Sequence, residues 1–278
     1  MTRQELRENL TAIMDTDYIL PDGENMDEYL DAMVEHIGDL DILLRDELIY
    51  MAFYKWIEEK ELVSEEKMIE IFNTLLSDDY LFYNIDKTDD TSVYTRTFSL
   101  LVFNPILTVH EKKHFLSDED INKYKDKMID YLNREKDFRG YTEHGWAHAF
   151  AHWADLTYFF TFDLDDKNHM AKSVLDLILD KYLSINIPLT REEDERLSTN
   201  IASHYIKGNI ISLEAFKTWL SRFEEFSHIE GSVPQSTVRV NLKHLLRSLY
   251  FRLVYLKADQ GYLQAVSETE IKLNRFSR

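Results

Sequence analysis

The chain has no cysteine. That excludes disulfides, zinc–thiolate sites, iron–sulfur clusters and a thiol nucleophile together, so any metal would be held by His, Asp and Glu alone. Glycine and proline are scarce, 7 and 4 in 278 residues, which leaves little turn material for an all-β fold. Long apolar runs are missing too. The most apolar stretch, Phe98 to Leu107, is short and interrupted by Asn104 and Pro105, and the opening MTRQELRENL lacks the apolar core of a signal peptide. A soluble, cytoplasmic protein with no membrane partner is expected. Positive charge is the last deficit: 32 Lys and Arg face 51 Asp and Glu, a formal −19. Such a surface repels phosphate backbones and anionic membranes, so nucleic acid is not expected as a partner.

What the chain does have is apolar residues recurring at spacings of three and four, the mark of amphipathic helices. The pattern predicts helices near 2–14, 24–37, 41–59, 64–77, 91–111, 117–133, 144–162, 166–184, 190–207, 212–227 and 235–258, with a short one after Gly261. Ser117 with Asp120 and Thr190 with Glu193 read as capping boxes, and Ser64 and Ser212 as N-caps. Asp78 to Thr91 reads as a mobile surface loop. In the second half, helix pairs start about every 45 to 50 residues, near the period of HEAT and armadillo repeats. The expected fold is therefore all-α, a HEAT/armadillo-like α-α superhelix of antiparallel helix pairs forming a single domain over residues 1–278.

One segment stands out chemically. In GWAHAFAHWAD, residues 145–155, a continuous helix would put His148, His152 and Asp155 on one face at i, i+4 and i+7. If alternate helices share a layer, Glu193, Arg196, Asn200 and His204 form a second polar row facing them. Arg96, Ser99, Arg139 and Tyr141 would then complete the cluster. His110 and His114 share the i, i+4 spacing but flank a predicted helix end, where cations meet the helix dipole at the surface. The aromatic run TYFFTF at 157–162 reads as core packing.

The strings LRDELIY at 44–50, TRTFSLL at 95–101, EKDFRGY at 135–141, GWAHAFAHWADL at 145–156 and EEDERLS at 192–198 resemble an uncharacterised bacterial family, domain of unknown function 2785. The resemblance implies a helical, HEAT-like protein and transfers no catalytic role. A small residue is more usual in that family where Trp153 stands, and the indole's bulk would narrow a groove beside His152.

Three functions fit these residues. The first is a helical-repeat binding module whose polar groove takes a peptide or a small anionic ligand, contacted by His148, His152, Asp155, Arg139, Tyr141, Glu193, Arg196, Asn200 and Arg96. The alternative is a metal-assisted hydrolase with His148, His152 and either Asp155 or Glu193 as ligands to a divalent metal, the one cofactor the sequence suggests. The glutamate of an HExxH site is missing, because Ala149, Phe150 and Ala151 separate the histidines. No nucleophile is marked, and the balance leans away from an enzyme. The third reading is a structural or adaptor protein in which the histidine stripe is a core hydrogen-bond network.

Overall fold

The computed structural model describes residues 1–88, 90–162, 164, 166–226 and 233–277. It is mostly helical and divides into two compact units, Met1–Trp153 and Ala154–Arg278.

In the first unit, α1 (Arg3–Asp15) begins at a Thr2–Glu5 capping box and buries Leu6, Leu10 and Ile13. Helix α2 (Met26–Glu35) packs on α1 and on α4 (Glu65–Leu75). Between them runs α3, which opens with a π-helical stretch, Leu43–Ile49, continues as Tyr50–Phe53 and closes with a second π-helical stretch, Tyr54–Glu59. Such widened turns are rare and gather at functional positions. Helix α5 (Ser92–Lys113) contacts both α3 and α4 and carries Tyr94, Arg96, Phe98 and Ser99 as buried residues. Ser117 and Asp120 form the expected capping box at the start of α6 (Asp118–Arg134). Ser64 caps α4 by a single bond, its hydroxyl accepting from the Lys67 N–H.

The stretch expected as one helix over 144–162 is instead three pieces. Strands β1 (Tyr141–Thr142) and β2 (Gly145–Trp146) make a two-residue hairpin with Tyr141 opposite Trp146. Helix α7 then covers only Ala149–Asp155, and a 3-10 turn follows at Thr157–Phe160. The break has a local cause. Gly145 sits at φ +90° and His148 at φ +48°, left-handed positions that no continuous right-handed helix can contain. The Thr142 hydroxyl accepts from the His144 N–H at 3.0 Å, which stabilises the turn.

In the second unit, α8 (Lys167–Ser184) contacts α10 (Leu213–Ser221), and α10 contacts α12 (Gln260–Leu273). Helix α9 (Glu193–Asn200), with its π-helical continuation Ile201–Ile206, lies against α11 (Val233–Tyr255). Ser212 caps α10 as expected. Thr190 does not cap α9: the residue before that helix is Glu192 at φ +67°, and the Glu193 carboxylate accepts from the Arg191 N–H at 2.8 Å instead. In the run TYFFTF, Thr157, Phe159 and Phe160 are buried, as core packing requires.

Two further expectations change. The 78–91 connection is held down by buried Leu81, Phe82 and Ile85, and its residue 89 lies outside the described residues. His110 is buried, not at the surface, and its Nδ1 accepts the Leu116 N–H at 3.0 Å. The imidazole therefore fixes the chain as it leaves α5.

Candidate functional site

The hairpin is seated on a charge that the fold has buried. Arg45, on the first π-helical stretch of α3, is fully buried. Its Nη1 donates to the Asp39 carbonyl and its Nη2 to the His144 carbonyl, both at 2.7 Å. Nη2 also lies 2.7 Å from the Asp46 carboxylate. The guanidinium covers the faces of Tyr94 at 4.3 Å and Phe98 at 4.6 Å, contacts that use the negative potential of each ring. Burial pushes the Asp46 carboxyl up to about 6 despite its arginine neighbour, because the low-dielectric surroundings disfavour the charged form more than one cation restores it. The same burial lowers the Arg45 pKa.

Gly145 is required directly above this pair. A Cβ there would lie 2.8 Å from Arg45 Nη2 and 3.2 Å from Ile42 Cγ1, so only glycine admits both the turn and the guanidinium. Tyr94 reinforces the anchor through its hydroxyl, which bonds the Thr142 hydroxyl, and through an edge contact to the His144 ring at 6.2 Å. The hairpin is thereby fixed on one side to α3 and on the other to α5.

Above the anchor the surface is aromatic. Trp146 is 40% exposed and Tyr141 51% exposed, and the two rings meet edge to face at 4.9 Å. Trp56, Trp153 and Trp219 are buried, so Trp146 is the solvent-facing indole of the four. Its inner side rests on the His148 ring at 4.6 Å, and His148 in turn meets His152 edge-on at 5.6 Å. His152 Nδ1 lies 3.2 Å from the Thr97 carbonyl. A carbonyl only accepts, so Nδ1 carries a proton. Trp153 donates to the Met128 carbonyl at 3.0 Å, tying α7 to α6.

Of the residues proposed from sequence, His148 and His152 are neighbours, though His148 precedes α7 and its carbonyl accepts the His152 N–H at 2.9 Å. The three arginines meant for an anion are all engaged within the fold. Arg96 is fully buried and forms a two-pronged pair with Glu135 at 2.7 and 3.0 Å, while its Nη1 bonds Tyr83 O and Ser92 Oγ. Arg139 Nε donates to the Asp137 carboxylate at 2.8 Å, and its Nη2 to the Asp90 carbonyl at 2.8 Å. Arg196 pairs with Asp155 in the second unit. There Asn200 donates to the Ala154 carbonyl at 2.7 Å, and His204 stacks on Tyr158 at 4.1 Å. Burial raises the pKa of Asp155, against its arginine partner, and also that of Glu193.

Among the described residues no group of three or more His, Asp or Glu side chains is placed to hold a metal ion. His148, His152 and Asp155 are thus not assembled as the expected ligand set: the left-handed backbone at His148 takes it out of the helix, and Arg196 claims the Asp155 carboxylate. Sequence reasoning passed over Arg45, Asp46 and His144. The available signal was an Arg–Asp pair inside the apolar string LLRDELI, since a charged pair in such a run is buried only with partners.

A predominantly helical protein with an aromatic hairpin seated over a buried ion pair is the class that fold and site define. The chain belongs to the family described as Protein of unknown function (DUF2785), which matches residues 81–251. That span includes α5, the hairpin, α7 and α9, and leaves out LRDELIY at 44–50, which bears Arg45 and Asp46. Among curated proteins and among solved structures, nothing matches the chain. Among the described residues no helix is long and apolar enough to cross a membrane.

Proposed function

We propose that the protein is a helical-repeat binding module whose hairpin takes a peptide. The observation that carries this reading is the exposed Tyr141–Trp146 pair held on a rigid, buried base. Tyrosine and tryptophan supply large contact area at little entropic cost and dominate binding hot spots. Ile42, which precedes α3 and lies beside Gly145, and Leu43, the first residue of α3, are also exposed and add apolar surface. Glu143 is exposed in the hairpin turn itself, so a chain bearing apolar and basic side chains matches it. A small anion fits less well, because Arg96, Arg139 and Arg196 are committed to Glu135, Asp137 and Asp155. The histidines act in this reading as the support beneath Trp146, which absorbs the core-network alternative into the same site.

The repeat architecture is part of the proposal. Support comes from the second unit, where side-chain bonds between successive pairs span a near-constant distance along the chain: Trp219 to the Leu175 carbonyl, Tyr262 to the Ile211 carbonyl and Asn241 to the Ile187 carbonyl, 44, 51 and 54 residues apart. These separations bracket the 45 to 50 residues read from helix starts.

The test is selection from a random peptide library against the whole chain, with counter-selection against Trp146→Ala. Peptides rich in Lys or Arg and apolar residues should emerge, and the substitution should weaken them about tenfold or more, the scale of a hot-spot aromatic. Enrichment of peptides indifferent to Trp146 overturns the reading.

A further inference from the structure

Charge is unevenly distributed along the chain. Residues 233–278 carry 8 Lys or Arg against 3 Asp or Glu, a formal +5, while residues 1–232 carry 24 against 48, a formal −24. The basic residues of α11 are also ordered in space. Arg239, Lys243 and Arg247 follow at i, i+4 and i+8, one stripe of a helix. Burial, then Arg247, hold the Lys243 pKa below its ordinary value, and Arg239 acts in the same direction.

The stripe runs into an apolar groove. Between α11 and α12 lies a hollow of about 300 Å³ whose lining includes Leu246, Tyr250, Phe251 and Val266 together with Arg247 and Glu270. Arg247 donates to Glu270 at 2.7 and 2.9 Å, which places the guanidinium across the groove. Phe251 is 54% exposed, and Val254 and Tyr255, one turn further on, are exposed as well, as is Ile271 on α12. An exposed apolar strip of this kind beside ordered cations marks an interaction surface.

We infer that the α11–α12 groove docks an acidic amphipathic helix of a partner protein. Its apolar face would lie along Phe251, Val254 and Ile271, and its carboxylates along Lys243, the helix-in-groove mode of recognition. A second copy of the chain fits less well. A two-fold pairing through this face would set the cationic stripe against itself, and a head-to-tail contact would propagate without closing, against the mutual repulsion of bodies at −19 each.

The probes are two fluorescein-labelled synthetic helices with leucine at i, i+3, i+4 and i+7, one with glutamate and one with lysine at every other position, titrated with the full chain by fluorescence anisotropy. Net charge alone favours the lysine peptide, so the inference makes the opposite prediction. The glutamate peptide should bind saturably, weaken as salt is raised, and lose about tenfold or more in affinity in Phe251→Asp and in Lys243→Glu. Both positions accept solvent, and unchanged circular dichroism will show that the variants are folded. Tighter binding of the lysine peptide, indifference to Phe251→Asp, or concentration-dependent dimers that Phe251→Asp abolishes would each overturn it, the last by assigning the face to a second copy.

Discussion

Arg96 decides between two roles, ligand contact and structural anchor, and the substitution Arg96→Met separates them. The guanidinium is wholly buried, its partner Glu135 nearly so, and every donor group is used: Nε and Nη2 on the carboxylate, Nη1 on Tyr83 O and Ser92 Oγ. Glu135 also accepts from the Tyr131 hydroxyl at 2.9 Å and from the N–H groups of Lys136 and Asp137. Methionine fills much of the volume but leaves a carboxylate in low dielectric without its cation. Breaking one side of such a pair costs about 3–5 kcal/mol. Removing both charges together, as in Arg96→Met with Glu135→Leu, should recover part of that loss, because the desolvation of two ions is no longer incurred. Urea unfolding followed by circular dichroism reads both effects. A loss below about 1 kcal/mol for Arg96→Met, the range of exposed pairs, or a double variant less stable than the sum of the singles, would refute the anchor and return Arg96 to the ligand.

Gly145→Ala should cost about 2–4 kcal/mol, combining the left-handed backbone at φ +90° with displacement of Arg45 from the His144 carbonyl; an unchanged urea midpoint contradicts the hairpin geometry. Asp46 titrates near 6 in the fold, above its unfolded value, so the native state keeps a proton that the unfolded chain has already released in that window. Its contribution to stability is therefore greatest below about pH 4 and declines as pH rises through about 6, by about 2–3 kcal/mol. Across that interval wild type should lose this amount of unfolding free energy relative to Asp46→Asn, and a constant difference between the two sinks the assignment. Ser117→Ala should cost about 0.5–2 kcal/mol while Thr190→Ala stays within about 0.5, since the structure gives the first residue a reciprocal cap and the second none.

Most helices were legible because each rests on local chemistry. Ser64, Ser117 and Ser212 announced their helix starts, and apolar spacing carried α5, α6, α8 and α11 to within a few residues of their ends. The site was legible only in part. GWAHAFAHWAD has helical periodicity throughout, yet Gly145 and His148 take left-handed backbone that no periodicity encodes, and the helix begins where Arg45, far away in sequence, holds the preceding turn. Arginines that look available in a string, such as Arg139 in DFRGY, prove to be engaged by a carboxylate two positions earlier. Which charges pair with which is a tertiary property, and the engaged arginines are why the proposal takes the peptide over the small anion, the two ligands the sequence left open.

Trp146 supplies its own assay. With Trp56, Trp153 and Trp219 buried, the emission open to acrylamide belongs to the hairpin indole, and Trp146→Phe should remove most of the quenchable signal. On titration with a library-selected basic, apolar peptide, wild-type emission should shift to shorter wavelength and become protected from acrylamide, with no such change in Trp146→Phe. Saturable binding of that peptide with Trp146 as accessible as before would contradict the hairpin as the binding surface.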